Sequence, residues 1–184
     1  GVEKMHQCGL AHSDLSNNNV LVDPKNGDVA IIDVDTLVVP GLFPAHVIGT
    51  PGYIAPEVLS TTQLKLNDPN RKSPDKYTDL HSLAVLLYRM FFFRHPLKGK
   101  KLHSSDPDKN EQLMMGKKAL FIEDPTDKSN RPDDEWLKKN IPKKRHKQVF
   151  PWVSPNRIPY TVLGRYLSEL FEQAFVTGLH DRKK

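Results

Sequence analysis

The sequence contains a single cysteine, Cys8, and this scarcity excludes a disulfide framework or a cysteine-based zinc site within the chain. Such usage favours a reducing cytoplasm, and we expect Cys8 to be a small buried hydrophobe. The chain also lacks an apolar run long enough to span a membrane, because the longest, residues 80–93, is interrupted by His81, Ser82 and Arg89. Its first residues do not resemble a secretory signal. We therefore expect a cytoplasmic protein without a membrane partner.

The composition is ordinary for one globular domain. The 184 residues are 38% hydrophobic and 27% charged, which excludes collagen-like, low-complexity and wholly disordered classes. The net charge is +5, and much of the positive excess comes from Lys138, Lys139, Lys143, Lys144, Arg145, Lys147, Arg182, Lys183 and Lys184. A basic patch can attract phosphates or nucleic acid. Because no aromatic residues alternate with these lysines, the pattern favours a solvated loop, and nucleic acid is not indicated as a partner.

Turn residues and apolar periodicity predict an α+β fold that is mostly helical with one small β-hairpin. The strands are 20–22 and 29–32, and a loop rich in glycine and proline follows over residues 33–57. Residues 1–11 are predicted to contain the end of a helix. A central helix is predicted over about 77–92, short helices at 111–120 and 133–140, and a last helix over about 160–177. The polar stretch over about 98–158 is long for a connection and is interpreted as an insertion.

Two of these helices have a clear apolar face in the sequence. In the central helix, Leu83, Leu86, Leu87 and Met90 fall on one face, while Val85 makes the helix apolar over much of its circumference, which is typical of a helix in the middle of a domain. The predicted core face of the last helix is Leu163, Leu167, Leu170, Phe171 and Ala174.

Three polar side chains are predicted to meet at the mouth of the hairpin. Asp14 and Asn19 flank one tight loop before the first strand, and Asp33 directly follows the second strand. Because a hairpin returns the chain to its start, the three side chains should converge at one edge. Carboxylate and amide oxygens suit Mg²⁺ that is bound together with phosphate oxygens. Each residue taken alone is equally typical of a turn or a helix cap.

Four segments, in this order and spacing, resemble the protein kinase family. Residues 12–15 (HSDL) with Asn19 resemble its catalytic loop, and residues 33–35 (DVD) resemble its metal-binding motif. Residues 49–57 (GTPGYIAPE) resemble its substrate-docking segment, and residues 77–88 the start of its buried central helix. The resemblance implies the C-terminal lobe of a eukaryotic-type Ser/Thr protein kinase, with catalytic and metal loops over 12–35 and an activation segment over 33–57.

The resemblance also implies a role for each matched residue. Asp14 would be the catalytic base that orients the acceptor hydroxyl, with Thr50 hydrogen-bonded near it. Asn19 and Asp33 would hold Mg²⁺ beside the phosphates of ATP, and Leu21 would lie below the adenine. Three further residues would be structural: His12, which would pack beside Val34, Glu57, and Asp79, which would accept backbone N–H groups of the catalytic loop.

Four positions depart from the family pattern. Ser13 replaces an arginine that commonly pairs with a phosphorylated activation-loop residue, so we expect activity not to need that phosphorylation. Ser16 replaces a lysine that places positive charge near the transferred phosphate, which leaves the source of that charge open. Val34 has a smaller side chain than the phenylalanine that the family has at this position. Asp35 occupies the position of the family's glycine, which would permit positive φ.

The sequence contains no recognisable glycine-rich loop, strand lysine or partner glutamate of an N-terminal kinase lobe. That lobe is therefore the expected partner, the chain alone is expected to be inactive, and the protein acceptor is unknown. Two alternatives remain open. A small-molecule phosphotransferase of the aminoglycoside or choline kinase type often has a small residue at the position of Ser13, and a pseudokinase would keep the fold as a binding module. Within the family, the catalytic loop and residues 170–175 (LFEQAF) most resemble bacterial kinase-like proteins, some of which carry helix-hairpin-helix DNA-binding segments elsewhere.

Overall fold

The computed structural model describes residues 1–42 and 47–180. The chain divides into two compact units, residues 1–86 and residues 87–184. The predicted α+β class is confirmed, since the described residues are mostly helical and contain a two-stranded sheet. Within those residues, no helix has both the length and the apolar character needed to cross a membrane.

The first unit contains a short, largely exposed hairpin and several short helical elements. Its elements are helix α1 (Val2–Gln7), strands β1 (Val20–Val22) and β2 (Val29–Ile31), a 3₁₀ turn (Val34–Thr36), helix α2 (Pro56–Leu59) and the first part of helix α3 (Lys76–Phe92). The second unit begins within α3 and continues with helices α4 (Pro107–Met115), α5 (Asp134–Asn140), α6 (His146–Val149) and α7 (Arg165–Glu172). It also contains 3₁₀ turns at Lys128–Asn130, Lys143–Arg145 and Tyr160–Leu163 and a π-helical turn at Gln173–Thr177.

The hairpin forms because its turn is rich in residues that satisfy their own backbone. Strands β1 and β2 pair antiparallel, with Val20 opposite Ile31 and Val22 opposite Val29. The Asp23 carboxylate accepts the N–H of Lys25 at 2.8 Å, a local contact of the kind that favours turns. The predicted hairpin is therefore present, and its second strand ends one residue earlier than expected.

Helix α3 buries Val85 together with several polar side chains, and the apolar face seen in the sequence is only partly buried. In the first unit its buried side chains include Thr78, His81, Ser82 and Val85, whereas Met90 in the second unit is 60% exposed. Leu83, Leu86 and Leu87 of the predicted face are only partly buried. Polar residues can occupy the buried positions because they find partners: the Ser82 hydroxyl lies 2.8 Å from the carbonyl oxygen of Tyr53 and 3.1 Å from that of Thr78.

The second unit has an aromatic core around Tyr88, which is fully buried. The centroid of its ring lies 4.9 Å from the ring centroid of Phe92, 5.6 Å from that of Phe121 and 5.8 Å from that of Phe175. The rings meet at the tilted and edge-to-face angles that aromatic pairs prefer. Burial raises the pKa of the Tyr88 hydroxyl well above its ordinary value. Residues of the predicted insertion, including Phe121 and Leu137, are buried in this unit, so the stretch contributes to a core.

A buried ion pair accompanies this core. The Arg94 guanidinium lies 2.5 Å from Glu123 Oε1, and the two side chains are 4% and 0% exposed. Arg94 also donates to the carbonyl of Ile158 at 2.8 Å, and Glu123 accepts the N–H of Tyr160 at 3.1 Å. The two charges are thus surrounded by hydrogen bonds, which is the usual condition for a buried charge.

An acidic side chain caps one of the 3₁₀ turns of the second unit. Asp127 accepts the backbone N–H of Ser129 at 2.9 Å, and the Lys101 ammonium lies 3.2 Å from its second carboxylate oxygen. The hydrogen bonds from Ser129, together with that from Lys101, lower the pKa of Asp127 to about 2.

Two further predictions about local structure are wrong. The last helix is not continuous over 160–177, because Gly164 adopts φ +82° and separates a 3₁₀ turn from α7, in which Leu170 is 43% exposed. Left-handed backbone of this kind interrupts helical hydrogen bonding and is easiest for glycine. Cys8 is exposed, since it follows the short helix α1, which contains no buried residue.

Candidate active site

The buried carboxylate of Asp79, in the first turn of α3, anchors the loop over residues 12–14. Asp79 is 1% exposed, and its Oδ2 accepts the N–H of His12 at 2.7 Å while its Oδ1 accepts the N–H of Ser13 at 3.1 Å. The Nε2 atom of His6 lies 2.9 Å from the same Oδ2. The contact that the sequence predicts for Asp79 is present. His6 is an additional partner that sequence reasoning missed, because nothing local relates it to a residue 73 positions away.

This anchoring holds backbone conformations that are otherwise rare. Ser13 has φ +60° and Asp33 has φ +62°, in the left-handed region that costs roughly 1–3 kcal/mol for a residue other than glycine. The Ser13 hydroxyl donates to the Thr36 carbonyl at 2.7 Å, and Ala11 and Val38 form an isolated antiparallel bridge between the same two segments. The surrounding contacts therefore determine the course of both segments.

His12 is fully buried and connects these segments from the inside. Its Nε2 lies 3.0 Å from the carbonyl oxygen of Ile32, which can only accept, so this nitrogen carries a proton. Its Nδ1 lies 3.2 Å from the hydroxyl of Thr36. His12 thus contacts the chain on either side of Asp33.

The carboxylate of Asp14 is held from two directions. Its Oδ1 accepts the backbone N–H of Thr50 at 2.6 Å and the hydroxyl of the same residue at 2.7 Å. Its Oδ2 accepts the side-chain amide of Asn19 at 3.2 Å, and that amide also donates to the Asp14 carbonyl at 2.9 Å. The structure therefore brings together three of the predicted site residues, Asp14, Asn19 and Thr50.

Gly49 allows the segment that carries Thr50 to approach this loop. Gly49 has φ +116°, and a Cβ at this position would lie 3.0 Å from the Ser13 carbonyl oxygen and 3.1 Å from the side chain of Ile54. Both the backbone conformation and the available space therefore require glycine here.

The hairpin brings Asp33 back beside Asn19. The N–H of Ile32 donates to the Asn19 carbonyl at 3.0 Å, which extends the ladder by one pair beyond Val20 and Ile31. Asp33 is the next residue along the chain, and it is exposed. Within residues 1–42 and 47–180, its carboxylate makes no hydrogen bond. Leu21 lies in β1 and is 55% exposed.

A second connection, through Tyr53, was not apparent from the sequence. The Tyr53 hydroxyl donates to the Asn17 side chain at 2.8 Å, and the Tyr53 carbonyl accepts from Ser82 of α3 at 2.8 Å. Tyr53 is 2% exposed, so its ring is packed while its hydroxyl reaches the loop. Residues 49–57 are thus joined to the loop at both Asp14 and Asn17. The sequence signal that could have indicated the contact between Tyr53 and Asn17 is a tyrosine within a polar turn segment.

Comparison with known proteins identifies the family of the chain. A sequence model described as the protein kinase domain matches residues 1–150. The chain belongs to the protein kinase family. Its curated relatives include the probable serine/threonine-protein kinase RTK1 of Saccharomyces cerevisiae, 30% identical over 66% of this chain and 20% of that protein. They also include the serine/threonine-protein kinase ppk21 of Schizosaccharomyces pombe, 33% identical over 53% of this chain and 18% of that protein. A third is the serine/threonine-protein kinase PknD of Chlamydia felis, 29% identical over 54% of this chain and 12% of that protein.

These relatives are much longer than the chain, which spans about a fifth or less of their length. Among solved structures, the Cydia pomonella granulovirus kinase PK-1 is similar at 18% identity, with a TM-score of 0.44 over 59% of this chain and 36% of that chain.

The four positions that depart from the kinase pattern lie in contrasting surroundings. Ser16 is fully buried, and its hydroxyl accepts the N–H of Asn18 at 3.2 Å, so its side chain stabilises the loop from within. Ser13 has its backbone bonded to Asp79 and its hydroxyl bonded to residue 36. Val34 is 57% exposed and Asp35 is exposed, both in the 3₁₀ turn after Asp33.

Further residues of the kinase pattern line a cavity or lie in a short helix. His12 and Val34 both line an open, mostly apolar cavity of about 490 Å³, together with Met5, Leu15 and Leu83. Glu57 lies in the short helix α2, where its carbonyl accepts the Thr61 hydroxyl at 3.1 Å, and its side chain is partly buried.

Proposed function

We propose that this chain is the part of a Ser/Thr protein kinase that orients the acceptor hydroxyl and holds Mg²⁺ during transfer of the γ-phosphoryl group of ATP to a protein. The observation that carries the proposal is the fixed carboxylate of Asp14. Both of its oxygens are hydrogen-bonded, yet Asp14 itself is only partly buried, so an incoming hydroxyl can reach it.

A count of acceptor positions identifies the oxygen that is free to act. A carboxylate oxygen offers about two lone-pair sites. Asp14 Oδ1 uses both of them for the N–H and hydroxyl of Thr50, whereas Oδ2 uses one for Asn19. We therefore assign Oδ2 as the atom that accepts the proton of the acceptor serine or threonine, while Thr50 holds the carboxylate in position.

The oxygen donors near the hairpin fit Mg²⁺. The nitrogen of the Asn19 side chain is occupied by Asp14, which leaves its carbonyl oxygen as a ligand, and Asp33 adds an exposed carboxylate two residues beyond the paired Ile31. Both are hard oxygen donors of the type that Mg²⁺ selects. When bound, Mg²⁺ neutralises charge on the phosphate oxygens. Leu21, exposed on β1, offers an apolar surface for the adenine.

We infer that the positive charge for phosphoryl transfer comes from an N-terminal lobe. In the described part of the chain, no lysine or arginine is hydrogen-bonded or ion-paired to Asp14, Asn19 or Asp33. Ser16 is buried and carries no charge, so it cannot take the place of the usual lysine. We therefore expect the 184-residue chain alone to transfer no phosphate.

The test uses the protein at its natural length, labelled ATP with Mg²⁺, and a general protein acceptor such as casein. Asp14→Asn and Asp33→Asn should each abolish transfer, and Asp28→Asn, an exposed carboxylate at the far end of the hairpin, should not. Transfer only to small alcohols such as choline would favour a small-molecule phosphotransferase instead. Nucleotide binding without transfer to any acceptor would favour a pseudokinase.

Thr50 provides a finer test of the same assignment. Thr50→Val removes the hydroxyl that Asp14 accepts, and loss of one hydrogen bond to a charged group, about 1.5–3 kcal/mol, corresponds to roughly a 10- to 150-fold fall in kcat. Thr50→Ser keeps the hydroxyl and should retain most of the activity. Equal activity of the two variants would contradict the proposed holding role.

We also propose that activation-loop phosphorylation is not required. Ser13 has no charge with which to bind a phosphate, and both its hydroxyl and its N–H are already used internally. Phosphatase treatment of the natural-length kinase should leave its activity unchanged, and a phosphate-dependent rise in activity would overturn this proposal.

A further inference from the structure

The residues from 138 to 147, hereafter the basic segment, form a strongly charged surface in the described part of the second unit. The segment contains six lysines and arginines and no acidic residue. All six side chains are exposed, and within the described residues none of them forms an ion pair. The neighbouring carboxylates Asp133 and Asp134 are instead paired with Lys100 and Arg157. Asp134 also interacts with Lys138, which contributes to its lowered pKa, and Glu135 lies one helical turn before Lys139. The positive charge without a carboxylate beside it along the chain is therefore that of Lys143, Lys144, Arg145 and Lys147.

An exposed tryptophan lies directly beyond the basic segment. The N–H of Phe150 donates to the His146 carbonyl at 3.0 Å, and the N–H of Val153 donates to the Val149 carbonyl at 3.1 Å, so the chain turns tightly between these residues. Trp152 lies within this turn, and its side chain is 46% exposed. Its backbone carbonyl accepts a hydrogen bond from the buried Arg94. The indole is thus presented from a fixed backbone, five residues after Lys147.

We propose that the basic segment and Trp152 bind single-stranded nucleic acid. Dispersed lysines bind phosphates as point charges along a backbone, and an exposed aromatic ring stacks on an unpaired base. The sequence alone favours a solvated loop, because no aromatic residue lies within the basic segment. The structure changes this interpretation by presenting an exposed ring beside it.

Other anionic partners fit less well. A membrane surface requires an exposed apolar helix face, but Val149 of the short helix α6 is buried and Ile141 is partly buried. A phosphopeptide is bound best by clustered arginines that form paired hydrogen bonds, and the basic segment contains only Arg145.

The experiment measures binding of the purified 184-residue chain to a fluorescein-labelled 20-nucleotide single strand by anisotropy, over a range of salt concentrations. The charge variant is Lys143→Gln, Lys144→Gln, Arg145→Gln and Lys147→Gln. The matched control removes four exposed lysines elsewhere: Lys65→Gln, Lys72→Gln, Lys109→Gln and Lys117→Gln. Circular dichroism and a thermal melt verify that both variants fold.

We expect the charge variant to bind at least tenfold more weakly and the control to bind as the unchanged chain does. The slope of log K against log salt should become shallower by about 3 in the charge variant, at roughly 0.7 per phosphate contact on a single strand. Trp152→Ala should weaken binding about tenfold without changing that slope, and Trp152→Phe should restore most of it. Tighter binding to the duplex of the same sequence, to vesicles containing phosphatidylserine or to an acidic peptide would overturn the proposal. Equal binding by the charge variant and the control would overturn it as well.

Discussion

The loop over residues 12–14 should depend on Asp79 more than on any other single side chain that contacts it. Asp79→Ala removes the acceptor for the N–H groups of His12 and Ser13, both buried. Each unsatisfied buried N–H costs about 1–3 kcal/mol, so the two together should destabilise the loop by about 4 kcal/mol. Ser13 would then have fewer contacts that hold its backbone at φ +60°, a conformation that serine rarely adopts.

The assay for this prediction is amide hydrogen exchange, because it reports local opening at individual residues. A loss of about 4 kcal/mol should accelerate exchange of the His12 and Ser13 amides about a thousandfold, at 1.4 kcal/mol per factor of ten. Asp79→Asn keeps one acceptor oxygen and should have an intermediate effect. Asp108→Ala, an exposed carboxylate in the first turn of α4, is the control and should leave both amides unchanged. If the two amides exchange within threefold of their original rates in Asp79→Ala, the reasoning is refuted.

In urea unfolding, Gly49→Ala should destabilise the protein by about 3 kcal/mol and Gly27→Ala by only about 1 kcal/mol. Both glycines have positive φ, but only Gly49 lacks room for a Cβ. Equal losses of stability in the two variants would contradict this. Arg94→Met should cost about 3–5 kcal/mol by leaving the fully buried Glu123 charge without its partner, and adding Glu123→Gln should recover part of that loss in a double-mutant cycle. Because the pKa of Asp127 is about 2 in the folded protein, below its unfolded value, its stabilisation is present above about pH 4 and is lost as the pH falls towards 2. The melting temperature of Asp127→Asn should therefore fall less than that of the unchanged protein between pH 5 and pH 2, and parallel curves would argue against this linkage.

Much of the candidate site could be predicted from the sequence, because its geometry follows from a hairpin. The turn over residues 23–28 is specified by local side-chain contacts such as that of Asp23, and closing it brings the ends of both strands together. Asn19 and Asp33 then lie at one edge wherever the hairpin packs. The order and spacing of the four segments were likewise sufficient to indicate the protein kinase family, which the comparison confirms.

The apolar faces were less predictable, because hydrophobicity alone does not decide which side of a helix is buried. In α3, Ser82 is buried through its hydrogen bonds to two carbonyls, while Met90 and, in α7, Leu170 are exposed. A polar side chain that finds partners can occupy the interior, and an apolar one can remain at the surface with little penalty.

What the sequence by itself determined about this protein is therefore its local chemistry: the hairpin, the polar residues at its mouth and the family to which they belong. Only the tertiary structure decided that His6 contacts Asp79, that Tyr53 reaches Asn17 and that Arg94 pairs with Glu123. Each of these contacts joins residues 29 to 73 positions apart. Pairings over such distances leave no periodic or turn signal in the chain, because they depend on where whole elements pack and not on the conformation of neighbouring residues.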